Sequence, residues 1–107
     1  MDDVTIVQPL GILDSTQSGP FRQEVSDRVR DGAKYILVDF QDVTFMDSSG
    51  LGALVLALKT ARSAGAKMYV CSINDQVKML FELTSMDRVF ELYPDQETFK
   101  AAFHPPA

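Results

Sequence analysis

Apolar residues recur along this chain with two different periods. Val4, Ile6 and Leu10 fall on near-alternating positions ahead of Gly11, and Ile12–Leu13 resume after it. That spacing predicts an opening strand or hairpin, an edge pair with a bend at Pro9 to Gly11. From Pro20 to Arg30 the period changes, and Phe21, Val25 and Val29 recur every fourth residue among charges. An amphipathic helix is expected there, with Pro near its first turn and Gly32 near its end, covering one face of a sheet. Tyr35 to Phe40 is a nearly continuous apolar run. Such a run suits a central strand buried on both sides in a parallel sheet.

The second half repeats the alternation. Gly50 to Ala64 reads as a helix ended by Gly65, and Ala66 to Ser72 as another buried strand. A third helix follows Asn74 with Val77, Leu80 and Phe81 on one face. Val89 to Leu92 adds a short strand, and Pro94 to Phe103 a closing helix before a frayed tail at 104–107. Strands and helices alternating at this spacing argue for one α/β domain over 1–107 with right-handed crossovers.

The helix from Gly50 carries two stripes. Leu51, Leu54, Val55 and Leu58 make one; Ala53, Leu56, Ala57 and Thr60 make another about opposite. One stripe suffices for a core, so the second is either a surface for a partner or the far side of a helix sandwiched between layers. Met79, Leu83 and Met86 are expected to fill the core rather than an interface.

Charge and composition narrow the function. Ten Lys and Arg stand against 15 Asp and Glu, a net −5 without a basic cluster, which excludes nucleic acid and anionic membrane as direct partners. Cys71, the single cysteine, lies in the apolar run Met68–Cys71; it can neither form an internal disulfide nor complete a metal site, and a reducing compartment fits. Met1-Asp2-Asp3 lacks the basic flank of a signal peptide, and the longest apolar stretch, Leu51 to Leu58, is too short to span a bilayer. A cytoplasmic location is expected.

Chemistry concentrates in Met46-Asp47-Ser48-Ser49-Gly50-Leu51-Gly52, between the turn after the central strand and the start of an apolar helix. Ligand sites in α/β sheets gather at such places. Asp47, Ser48 and Ser49 can all cap the first turn, which is one complete reading of the segment. The other is an exposed, modifiable serine, with glycines that allow another protein's backbone to approach. Catalysis by Ser48 lacks an evident base, because His104 is the sole histidine and lies in the tail. The glycine spacing and lysine of a P-loop are missing, as are clustered metal ligands, so neither catalytic nor metal-binding residues are predicted.

Val43-Thr44-Phe45-Met46-Asp47-Ser48-Ser49-Gly50-Leu51-Gly52 resembles the phosphorylation segment of STAS-domain anti-sigma factor antagonists. The resemblance extends through Cys71-Ser72-Ile73, Val77-Lys78-Met79-Leu80-Phe81 and Leu83 to Phe90, and more loosely to Gly11-Ile12-Leu13-Asp14. It implies the STAS fold, a mixed four- to five-stranded sheet with a parallel core packed with about four helices. It also implies that Ser48, directly after the aspartate, takes a phosphate, with Ser49 the lesser candidate. Asp14, Asp47, Ser49 and Gly50 would surround the switch, and Leu51, Gly52, Ala53 and Leu56 would meet a partner. The implied partners are an ATP-using serine kinase that doubles as an anti-sigma factor and a metal-dependent serine phosphatase; the ATP belongs to the kinase, and no cofactor of the chain's own is expected. The departures lie mostly at Ser15 through Pro20, where Gly19-Pro20 suggests a helix start peculiar to this chain. The alternative the resemblance leaves open is a STAS scaffold or small-ligand sensor acting on a non-transcriptional target.

Overall fold

The computed structural model describes residues 4–104; Met1-Asp2-Asp3 and the tail residues 105–107 named above lie outside them. Six short strands, β1 (Thr5–Val7), β2 (Gly11–Leu13), β3 (Tyr35–Asp39), β4 (Val43–Met46), β5 (Lys67–Cys71) and β6 (Leu92–Tyr93), alternate with four helices. The helices are α1 (Ser15–Arg30), α2 (Ser48–Ser63), α3 (Asp75–Leu83) and α4 (Gln96–Ala102), with a 3-10 turn at Met86–Arg88. The α/β layering with four helices is as expected. The sheet divides in two: a four-stranded one in the order β1-β3-β5-β6 and a separate β2-β4 pair. Every pairing among the described residues is parallel.

The opening hairpin does not form. β1 pairs with β3 and β2 with β4, so Gln8 to Leu10 carry the chain from one sheet to the other instead of reversing it. β4 went unrecognised in the sequence because its four residues do not alternate: Val43 and Met46 are buried, Thr44 and Phe45 exposed. Its edge facing α3 is satisfied by side chains. Gln76 receives the Met46 amide (2.9 Å) and donates to the Met46 carbonyl (2.8 Å), and Asn74 donates to the carbonyls of Val43 and Thr44, each at 3.2 Å.

α1 begins five residues earlier than its apolar repeat indicates. Asp14, in extended conformation, accepts the Thr16 amide at 2.9 Å and the Thr16 hydroxyl at 2.6 Å. Pro20 therefore lies inside the helix rather than at its start, removing only the amide that would have bonded the Thr16 carbonyl. The last strand is displaced in the opposite sense, because the 3-10 turn at Met86–Arg88 uses up the residues before it.

Alternate residues of the main sheet serve two apolar clusters. Ile36, Val38, Met68 and Val70 pack with residues of α1, α2 and α3 such as Val25, Leu54, Leu58 and Phe81. Leu37 and Cys71 point the other way, against Val4 and Phe99 of α4, with Tyr35, Tyr69, Tyr93 and Phe103 around them. Cys71 is fully buried as predicted, and burial pushes its thiol up to about 11, which keeps it an unreactive core residue. Met86 packs on the core, but Met79 and Leu83 are 60% and 78% exposed. The expected core role fails for those two because α3 turns only Val77, Leu80 and Phe81 inward.

Candidate phosphoacceptor site

The site is built by two strands that end side by side. Leu13 of β2 and Met46 of β4 are register partners, so the next residues, Asp14 and Asp47, occupy equivalent places on neighbouring strands. Each caps a helix. Asp47, also extended, accepts the Gly50 amide at 3.0 Å, while its carbonyl receives the Leu51 amide. The cap is thus Asp47, which leaves the hydroxyls of Ser48 and Ser49 without that duty. Both serines are exposed, on the first turn of α2.

Gly50 lets this junction close. A Cβ there would run into the Leu13 carbonyl oxygen and come within 2.8 Å of Met46 Cγ; without one, the first turn of α2 sits directly against the end of β2. The Asp47 amide points at the same Leu13 oxygen, 3.4 Å away. Ser18 completes the tie, its hydroxyl 2.7 Å from the Asp14 carbonyl and 3.1 Å from the Ser49 carbonyl. The α1 and α2 N-termini therefore open onto one surface, and their dipole ends favour anions there. The bonds from Thr16 hold the Asp14 carboxyl below the ordinary aspartate value, so it is already charged at neutral pH.

Of the expected switch environment, Asp47, Ser49 and Gly50 flank Ser48 at the start of α2, Gly50 serving as backbone clearance, and Asp14 ends the neighbouring strand. The expected partner surface is only half on the outside. Leu51 (6%) and Ala53 (3%) are core residues, whereas Gly52 is exposed and Leu56 is 42% exposed. The correction follows from packing: Ala53, Ala57 and Ala61 form a buried row at i, i+4 spacing, and small side chains on such a row permit the close α1–α2 approach.

Asp39, inside the run read only as a hydrophobic strand, is the one buried charged residue of the described chain. Burial pushes its carboxyl up, but hydrogen bonds from Gln96 (2.6 Å), the Gln41 amide (2.9 Å), Gln8 (2.9 Å) and Ser72 outweigh it and hold the group low. This carboxylate joins the β1–β2 connection to α4. A lone Asp amid Ile, Leu, Val and Phe was the available signal. Among the described residues no group of three or more His, Cys, Asp or Glu is placed to hold a metal, and no helix is long and apolar enough to cross a membrane.

This arrangement of parallel strands and four helices is the fold of the STAS domain. The model of that family matches residues 1–99, and the chain belongs to it. Within the family it is similar to the anti-sigma F factor antagonist of Paenibacillus polymyxa, 29% identical over 94 residues, 87% of this chain and 80% of the relative. The crystal structure of a Thermotoga maritima protein, provisionally described as an anti-sigma factor antagonist, superposes with a TM-score of 0.84 at 30% identity, covering 94% of this chain and 88% of that one. The anti-sigma factor antagonist SpoIIAA in its unphosphorylated form shares the fold, with a TM-score of 0.75 at 19% identity over 92% of this chain and 86% of its own.

Proposed function

We propose that this protein is a cytoplasmic anti-sigma factor antagonist that works by partner switching, with Ser48 as the phosphoacceptor. Unphosphorylated, it binds an anti-sigma factor that is also a serine kinase and releases the sigma factor; phosphorylation of Ser48 ends that complex, and a metal-dependent serine phosphatase restores it. The observation that carries this reading is the division of labour at the start of α2: Asp47 caps the helix, and the adjacent Ser48 is exposed with its hydroxyl available. The antagonist name borne by the Paenibacillus relative supports an anti-sigma factor as partner, and a phosphorylated form of SpoIIAA with the same fold supports a fold that tolerates the ester.

Phosphate on Ser48 adds about −1.5 to −2 charge. Within the domain the helix amides attract it while Asp14 and Asp47 repel it, so the fold is left intact. Against a kinase the balance differs. The hydroxyl must meet the terminal phosphate of ATP, so after transfer the new ester faces the nucleoside diphosphate, like charge to like charge. A loss of about 2–3 kcal/mol, roughly a hundredfold in affinity, is in the range such juxtapositions produce.

The test is peptide mass spectrometry after incubation with ATP and the candidate serine kinases of the source organism. One phosphate, present in wild type and Ser49→Ala and absent from Ser48→Ala, is expected. Modification that survives Ser48→Ala but not Ser49→Ala would move the switch by one residue, and none with any kinase would contradict the phospho-switch.

A further inference from the structure

On the β2–β4 pair, Ile12 and Phe45 are direct register partners and so project from the same face. The neighbouring pair, Leu13 and Met46, turns into the core, while Ile12 and Phe45 stay 52% and 44% exposed. Two large apolar side chains standing together in water are a different matter from scattered ones. Here they sit on the strands that deliver Asp14 and Asp47 to the phosphoacceptor site.

The charge on the strands of this pair and on the helix turns they lead into has one sign. No Lys or Arg occurs from residue 4 to residue 21 or from residue 35 to residue 58, the stretches that supply β1 to β4 and the first turns of α1 and α2. Asp42 precedes β4 at one end of the pair, tied to β2 by the Gly11 amide on its carbonyl. Asp14 and Asp47 close the other end; Asp42 and Asp47 are about 16 Å apart at extended rise. α3, which packs on β4, adds two acids, Asp75 and Glu82, and one base, Lys78. Of the cations of α1 and α2, Arg28, Arg30 and Arg62 lie in the last turns, away from the phosphoacceptor end; Lys59 and Arg22 stand further back along the helices.

The geometry points to Ile12 and Phe45 as an anchor, separate from Ser48, for a protein partner whose docking face carries an apolar socket flanked by Lys or Arg. This rests on the proposed function and takes the occupant to be the serine kinase partner. Its cationic rim would hold the acidic ends of the strands while its nucleotide faces Ser48. A second copy of this chain fits poorly, since its equivalent face would bring carboxylates against carboxylates.

The test measures binding of the unphosphorylated full chain, without ATP, to each candidate serine kinase of the source organism by biolayer interferometry. Phe45→Ser and Ile12→Ser are expected to weaken binding about tenfold or more, as truncation of an interface anchor does. Asp42→Lys should weaken it less and flatten its salt dependence. Thermal melts establish that the variants fold, and if Phe45→Ser does not, Asp42→Lys decides. Variants that bind as wild type does would overturn the anchor, and Ser48 phosphorylation in the same samples would leave the switch standing. Lost binding with no phosphate ever found on Ser48 would keep the anchor and overturn the switch. Wild type that binds no kinase, or that self-associates through Phe45, would refute the assigned occupant.

Discussion

Two strand-to-helix junctions lie side by side in this molecule, and they read almost alike. Leu13-Asp14-Ser15-Thr16 leads from β2 into α1, and Met46-Asp47-Ser48-Ser49 leads from β4 into α2. Each aspartate is extended and caps its helix, and each following serine is exposed. The difference is in what lies beneath. None of the first six residues of α1 is buried, and Pro20 removes a backbone bond from its second turn. In α2 the third and fourth residues, Gly50 and Leu51, are already in the core, Gly50 against the Leu13 carbonyl. One junction caps a helix; the other caps a helix and fixes its first turn on the body of the protein. A serine that an enzyme must find in one geometry is better presented by the second, because less ordering remains to be done on binding.

The largest expected effect breaks that support. Gly50→Ala forces a Cβ into the Leu13 carbonyl and should cost about 2–3 kcal/mol, a drop of roughly 10–20 °C in Tm for a domain of this size. Gly19→Ala in α1 meets nothing within 4 Å and should raise stability by up to about 1 kcal/mol. Thermal melts of the two variants compare the junctions directly, and equal shifts would contradict the contrast.

Asp39 sharpens the comparison, being a third aspartate at the end of a strand but a buried one. Its folded-state carboxyl is held below the ordinary value of 3.8, so its contribution is fully present above about pH 4 and is lost as pH falls through the lowered value. Denaturant unfolding from pH 7 down to pH 3 should therefore show an acid-side loss that is smaller in Asp39→Asn. Asp39→Ala, which strands Gln8 and Gln96, should cost about 1–3 kcal/mol at neutral pH. An unchanged acid limb in Asp39→Asn would remove Asp39 from the account.

The caps give the smallest effect. Asp14→Ala and Asp47→Ala should each cost about 1 kcal/mol. They should differ in function: only Asp47→Ala, which frees the turn carrying Ser48, should slow phosphorylation of Ser48 markedly.

How much of this was legible in the sequence depended on whether a residue's role was local. The buried strands at Tyr35–Asp39 and Lys67–Cys71, and the helices after Gly50 and Asn74, announce themselves through apolar runs and 3.6-residue spacing. The pairing of β2 with β4 does not, because three- and four-residue strands carry too little alternation and their partner is 30 residues away. Asp47 and Ser48 stand out as cap candidates and by resemblance, Asp14 by resemblance alone. The clearance role of Gly50 depends on the carbonyl of Leu13, 37 residues away in the chain, which only the tertiary fold brings to it. Pro20 misled because its fixed φ suits a helix interior as well as a start. The burial of Leu51 accords with its stripe, Leu51, Leu54, Val55 and Leu58, whereas that of Ala53 depends on the close approach of α1, which α2's own sequence does not encode.

The proposed switch rests most directly on the affinity of one complex. Isothermal titration of the serine kinase that modifies this chain should be run against unphosphorylated protein and against protein carrying one phosphate on Ser48, with Ser15→Ala as control. Binding about a hundredfold weaker is expected for the phospho-form, with Ser15→Ala behaving as wild type. Equal affinity of the two forms would contradict the switch.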